Sequence, residues 1–222
     1  MSHRIVRTAG WNRNFFWMLA MGAMVALAGG VAHAQEQGPK QAQRLAKQAN
    51  KTVDSIMDSK NQIRVTLDAY NAILKEGVED RRKAYKSLVK AIEKSDKSVL
   101  KVRSRGVDLN AEANQYFADW GKSVESIADE ELQQRGRTRL DESRQRFTDI
   151  LEKGRVAGTD FEAFMTALRD QVLYLGHDLN PAGVASVGDD ATKLNQQAKD
   201  LFAKIDKTIM AYRGYASDLR PE

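Results

Sequence analysis

The sequence predicts an all-α protein: an antiparallel four-helix bundle, or coiled coil, with a projecting two-helix arm, preceded by an N-terminal signal peptide. Proline is absent between Pro39 and Pro181, so long helices are not interrupted there. No segment alternates apolar and polar residues as a half-buried strand does. Apolar residues instead recur at spacings of three and four in four successive stripes, which is the pattern of helices that pack side by side.

The first 34 residues read as an export signal. An uninterrupted run of apolar residues and glycine over 15–28 follows a basic region without acidic residues. The basic residues are Arg4, Arg7 and Arg13. The run is short for a spanning helix, which needs about 20 apolar residues, and Ala32 and Ala34 match the cleavage pattern of signal peptides. We expect cleavage after Ala34, with retention as an anchor as the alternative, and a mature protein in a bacterial periplasm.

Composition excludes several functional classes for the mature chain. The residues after Ala34 include 32 Lys and Arg against 30 Asp and Glu, a net charge of +2 against +5 for the whole chain. Such a small charge argues against a nucleic-acid binder. The chain has no cysteine, so disulfides, thiolate metal sites, cysteine nucleophiles and a lipidated N-terminal cysteine are excluded. His177 is the one histidine after the leader. We therefore predict no enzyme, no metal and no cofactor.

Four helices account for the mature chain, 35–222, as a single elongated domain. The predicted helices cover about 41–75, 79–128, 132–179 and 182–216. Gly77 is a suitable stop for the first helix because glycine adopts the left-handed conformation without penalty. The second stripe continues through Gly106, whereas Gly154 and Gly158 mark either a kink or a close helix contact in the third. Asn180 and the proline after it punctuate the chain before the last helix.

Blocks of charge predict how the two longest helices pair. Net charges are +6 over 79–105, −6 over 106–131, +3 over 132–155 and −5 over 156–190. A reversal near residue 131 places blocks of opposite sign side by side, which favours antiparallel pairing although each exposed pair contributes little. The four-helix section is predicted from 42–75, 79–108, 147–179 and 182–216. The arm is then 110–145, with an apolar seam that suggests an interaction or oligomerisation surface.

An aromatic group on the second helix is the first candidate for partner binding. Tyr116, Phe117 and Trp120 fall within a turn and a half of each other. Tyr116 and Trp120 belong to the apolar stripe, which favours a place in the core or seam. The alternative is a partner-binding patch on the arm, because aromatic residues are enriched among the residues that dominate binding energy.

A basic row on the second helix is a candidate contact for an anionic surface of the envelope. Its members are Lys86, Lys90, Lys94, Lys97, Lys101 and Arg105. Such a row is usually a solvated face paired with acidic neighbours, and the acidic segment 156–190 is expected to neutralise it. Contact with anionic lipid or an envelope polymer is the alternative.

A polar motif closes the third helix: Asp170, Gln171, His177 and Asn180. A histidine in the last turn interacts favourably with the C-terminal end of the helix dipole, so we read His177 as a capping or turn-packing residue. Asp170 and Gln171 are expected to form a polar bridge between helices. The alternative is that His177 has a direct functional role, paired with Asp170 or Asp178.

Three segments resemble an uncharacterised bacterial family, domain of unknown function 2959, over about 45–216. They are Tyr-Phe-Ala-Asp-Trp at 116–120, Leu140 with Ser-Arg-Gln-Arg-Phe at 143–147, and the run at 168–180 that contains Asp-Gln-Val-Leu-Tyr-Leu. The family pattern has Lys and Asn on either side of the histidine, where this chain has Gly176 and Asp178. The resemblance implies an exported, all-helical protein without an assigned activity or catalytic residues.

Two functions remain open at this point. The preferred hypothesis is a non-catalytic exported bundle that acts as an interaction or scaffold protein of the cell envelope, through a protein partner or self-association. The alternative is a periplasmic carrier of a small ligand or lipid, with a cavity between the helices. The residues expected around that cavity are Gly154, Gly158, Phe161, Phe164 and Tyr174.

Overall fold

The computed structural model describes the backbone of residues 31–220 and the side chains from residue 38 onward. Its helices are α1 (Val31–Leu74), α2 (Arg81–Glu125), α3 (Glu130–His177), α4 (Pro181–Ser186) and α5 (Gly188–Asp218). Over these residues there is no strand, so the all-α prediction is confirmed. The predicted signal peptide lies outside the described residues except for residues 31–34, which form the start of α1.

Local sequence signals explain most of the helix ends. Gly77 follows α1 with φ +69°, the left-handed conformation predicted for it. Asp129 caps α3 by accepting a 2.7 Å hydrogen bond from the Leu132 amide. Asn180 caps α4 in the same way, accepting a 2.9 Å bond from the Gly183 amide. Gly77 and Asn180 were predicted from the sequence, whereas the Asp129 cap was not.

The structure corrects three predicted boundaries. The first helix begins at Val31 rather than Gln41. The second ends at Glu125, three residues before the predicted end, because Asp129 caps α3 and the residues between Glu125 and Asp129 form the turn. The predicted last helix is two helices, since the backbone leaves the helical conformation at Val187 (φ −95°, ψ 7°), just before a glycine that favours helix poorly.

The helices form an antiparallel bundle in which α1 packs on α2 and α5, and α3 packs on the same two helices. Its core contains the inward stripes of all four long helices, with Tyr70, Phe164, Leu168 and Leu194 almost fully buried. α3 continues through Gly154 without interruption. Gly154 lies at a close helix contact, because the Tyr212 hydroxyl is 3.3 Å from where a Cβ would stand.

The arm is shorter than predicted. Gln41 on α1 donates a 2.7 Å hydrogen bond to Asp119 on α2, and the hydroxyls of Ser143 and Tyr215 lie 3.5 Å apart. The four-helix section therefore extends to about 119 on α2 and 143 on α3. The arm, 120–142, is the part of the α2–α3 hairpin beyond the end of α5. The prediction of 110–145 was too long because α1 starts earlier, and α5 ends later, than their stripes indicated.

Charge pairing follows the predicted antiparallel pattern at both ends of the α2–α3 hairpin. Arg137 holds Glu125 through two hydrogen bonds of 3.1 and 2.9 Å near the turn. Towards the other end Arg103 reaches Glu162 at 2.6 Å. The pair of Arg169 with Asp96, at 2.5 Å, joins the same helices with the opposite polarity. These exposed pairs select the register more than they stabilise the fold.

Candidate interaction surfaces

The arm carries an open apolar groove, which we call the arm groove. Its lining is Trp120, Ser123, Val124, Ile127, Leu132, Arg135, Gly136 and Arg139, around a volume of about 390 Å³. A second pocket of about 600 Å³ also contains Trp120 and Ser123 and extends to Pro39 on α1 and to Leu219 just after α5. The groove exists because α5 ends at Asp218 while α2 and α3 continue.

Close packing of α2 against α3 forms the floor of the arm groove. Val124 is 3% exposed, and one of its methyl groups lies 3.1 Å from where a Cβ on Gly136 would stand. The glycine thus lets the two helices approach at this level. Leu132, by contrast, is 49% exposed. The groove therefore has a packed floor and an apolar wall that faces solvent.

The three candidate aromatic residues have different environments. Phe117 is buried and contacts the edge of Phe147 on α3, with ring centroids 5.8 Å apart. Tyr116 is half-buried, and burial raises the pKa of its hydroxyl. Trp120 is also half-buried, with its centroid 5.6 Å from that of Tyr116. Trp120 is the member of the group that lines both pockets, whereas Phe117 belongs to the core.

The basic row lies on the outward side of α2. All five lysines are exposed and Arg105 is half-buried. Lys101 pairs with Asp58 on α1 at 3.3 Å, and Arg105 pairs with Asp108 on its own helix at 3.6 Å. The other four lysines have no acidic group within 4.0 Å among the described side chains.

The expected neutralisation by segment 156–190 does not occur for these four lysines. Glu162 of that segment pairs with Arg103, which lies on the α3 side of α2. Asp160 pairs with Lys204 on α5. Glu162 and Asp160 therefore pair with cations outside the row, and Lys86, Lys90, Lys94 and Lys97 remain exposed to solvent.

The four residues of the polar motif do not act as one group. Gln171 bridges helices: its side-chain oxygen accepts from the Tyr70 hydroxyl, and its amide donates to the Asp190 carbonyl at 3.3 Å. Burial, and then the charge of Asp190, raise the pKa of Tyr70. Asn180 is the cap of α4. Asp170 and His177 are exposed, and within the described chain neither forms a side-chain hydrogen bond or ion pair.

The residues expected around a carrier cavity have different environments. Phe161 and Phe164 are buried in the core, and Tyr212 occupies the space beside Gly154. Tyr174 is 45% exposed and shares a 2.9 Å hydrogen bond with Ser186. The two pockets described above lie elsewhere: the arm groove is on the arm, and the second pocket is where the arm joins the four-helix section.

No three acidic or histidine side chains among the described residues are grouped so as to hold a metal ion. None of the helices that the structure describes combines the length and apolar character needed to span a bilayer.

Fold and surfaces together define an elongated all-helical bundle in which the α2–α3 hairpin continues past the end of α5. The chain belongs to the family described as Protein of unknown function (DUF2959), whose model matches residues 32–219. The family indicated by the three sequence segments is thereby confirmed. Neither a curated protein nor a solved structure matches the chain.

Sequence reasoning missed the arm groove as a site. Val124, Leu132 and Gly136 belong to the apolar stripes of the second and third helices, but a stripe does not tell which of its members lack a partner helix. The available signal was the unequal length of the stripes, because the seam of the hairpin continues after the fourth stripe ends at Ala216.

Proposed function

We propose that this protein is a non-catalytic, exported interaction protein of the cell envelope, and that it binds a helical segment of a partner protein in the arm groove. The observation that carries the proposal is the exposed apolar wall at the level where the bundle loses α5. Contiguous exposed apolar surface on a soluble domain commonly marks a binding site. No catalytic step is assigned to the protein.

The shape of the arm groove supports a helix as the occupant. The groove lies between two antiparallel helices, beyond the end of a third that packs on one of them. An added helix would pack on α2 and α3 where α5 has ended, and it would cover Leu132 and Trp120. Amphipathic helices bind in apolar grooves of this kind through residues spaced three and four apart.

Charges at the rim indicate the chemistry of that helix. Arg135 and Arg139 line the groove. Arg135 forms a long ion pair of 3.9 Å with Glu131 on its own helix. Lys122 lines the adjoining pocket, paired with Asp119 at 3.2 Å. A helix with an apolar face and acidic flanks is complementary to this rim.

The envelope location rests on the leader sequence. The basic residues, the apolar run over 15–28 and the small residues Ala32 and Ala34 support export and cleavage. Cleavage after Ala34 leaves Gln35 as the first residue, three positions before Gly38 in the second pocket. The new N-terminus would then lie close to the proposed binding site.

Site-specific crosslinking in the producing cells tests the proposal. A photoreactive amino acid at Leu132, on the wall of the groove, is expected to give a discrete crosslinked product. The same amino acid at Met210, 64% exposed on α5, is the matched control and is expected to give none. Arg139→Glu should reduce the Leu132 product several-fold. No product from Leu132, or identical products from both positions, would contradict the proposal.

A further inference from the structure

The lysines of the basic row, Lys86 to Lys101, form a continuous positively charged surface that we call the lysine row. Its unpaired part is Lys86, Lys90, Lys94 and Lys97, and Lys101 continues it. Spacings of three and four place about one lysine per helical turn on one side of α2. From Lys86 to Lys101 the row is about 22 Å long at 1.5 Å per residue.

Elsewhere on the bundle, cations and acids are interspersed. On the α5 side, Lys60 pairs with Asp206 at 2.5 Å, and Lys204 pairs with Asp160. On the lysine row, Glu93 is the one acid of the outward side between 82 and 101, where cations predominate. The residues after Ala34 include 32 Lys and Arg against 30 Asp and Glu, whereas cations clearly outnumber acids on this side of α2.

Exposed aliphatic side chains lie beside this charge. Leu100 is 61% exposed and Val107 is 70% exposed on α2, and Val65 on α1 is 55% exposed. Val65 lies near the row because its neighbour Thr66 bonds to the Ala91 carbonyl of α2 at 3.1 Å. A polyanion in solution would use the lysines alone. A bilayer interface also accommodates aliphatic groups at the level of the headgroups.

We propose that the lysine row binds the anionic headgroups of a lipid bilayer, with α2 lying along the membrane surface. The lysine ammonium groups contact phosphates while Val65, Leu100 and Val107 lie against the interface. Each lysine close to such a surface contributes about fivefold in affinity. The binding is electrostatic, so it weakens as salt shortens the Debye length to about 8 Å at physiological ionic strength. This proposal is independent of the arm groove.

Vesicle co-sedimentation of the exported protein tests this proposal. Binding is expected to vesicles of phosphatidylcholine with about one third phosphatidylglycerol, and not to phosphatidylcholine alone. The variant K86Q/K90Q/K94Q/K97Q should bind several hundred-fold more weakly, because four losses of about fivefold in affinity multiply. The arginine variant at the same four positions keeps the charge and should bind as the original protein does.

Matched controls separate the row from net charge and from the choice of ligand. The variant K193Q/K199Q/K204Q/K207Q makes the same charge change on α5 and should retain binding to within a few-fold. L100S/V107S should weaken vesicle binding several-fold and leave binding to soluble heparin unchanged. Equal losses in both lysine sets, equal binding to neutral vesicles, or row-dependent binding to heparin but not to vesicles would each overturn the proposal.

Discussion

Replacing Phe164 by alanine is expected to lower the free energy of unfolding by about 3–5 kcal/mol, because large-to-small changes in a packed core lose apolar burial and leave a cavity. Phe164 is 1% exposed on the inward face of α3. The expected loss is a substantial fraction of the stability of a typical domain. Urea unfolding followed by circular dichroism measures it, with the midpoint shifting and the slope unchanged.

Phe202→Ala is the matched control for this loss. Phe202 is half-buried on α5, where Lys60 and Arg64 lie 5.8 and 5.5 Å from its ring centroid. The same chemical change there should cost about 1 kcal/mol, since little buried surface and no closed cavity are involved. Similar losses for the two variants would show that Phe164 is not in the core. Phe164→Leu retains most of the volume and remains measurable if the alanine variant does not fold.

Alkaline conditions are expected to destabilise the bundle through its buried tyrosines. Burial raises the pKa of Tyr212 and of Tyr215 to about 12, and both side chains are 4% exposed. Unfolded tyrosines ionise near pH 10, so the unfolded chain releases these protons first. The tyrosine contribution to stability is therefore fully present below about pH 10 and is lost as the pH rises through about 12, by about 2–3 kcal/mol for Tyr212 alone.

Denaturant titrations from pH 8 to pH 12 measure this effect. Tyr212→Phe should match the original protein to within about 1 kcal/mol at pH 8 and be more stable by about 2 kcal/mol near pH 12. Tyr174→Phe, at an exposed position, should retain the full alkaline loss. If Tyr212→Phe and Tyr174→Phe showed the same pH dependence, burial of Tyr212 would not be the cause.

Helical periodicity predicted the fold because most residues of the apolar stripes are buried in the bundle. Leu88, Ile92, Leu109 and Ala113 of the second stripe are all buried. The predicted stripe departs from the buried face near the arm, where Phe117 and not the predicted Tyr116 lies in the core. A straight helix departs from a heptad repeat by about 20° per heptad. Four heptads separate Leu88 from Tyr116, so the buried face has rotated by about 80° there, almost the angle of about 100° between successive residues.

The candidate surfaces were less predictable because they depend on where other helices end. The arm groove forms where α5 ends at Asp218. The sequence around Leu132 and Val124 does not indicate where α5 ends. Exposure of the lysine row depends on Glu162 pairing with Arg103. Partner choice among many exposed charges is decided by three-dimensional placement, which differs in energy by only fractions of a kcal/mol per pair.

The proposed function depends on the α2–α3 hairpin having the register described, and an engineered disulfide tests that register most directly. The chain has no cysteine, and a Cβ on Gly136 would lie 3.7 Å from the Cβ of Val124, within the usual range for a disulfide. V124C/G136C should therefore oxidise to an intramolecular disulfide, seen as a monomer without free thiols. V124C/R139C, with the second cysteine moved along α3, is the control and should keep its thiols. Reduced cysteines in the first pair, or equal oxidation of both pairs, would contradict the account.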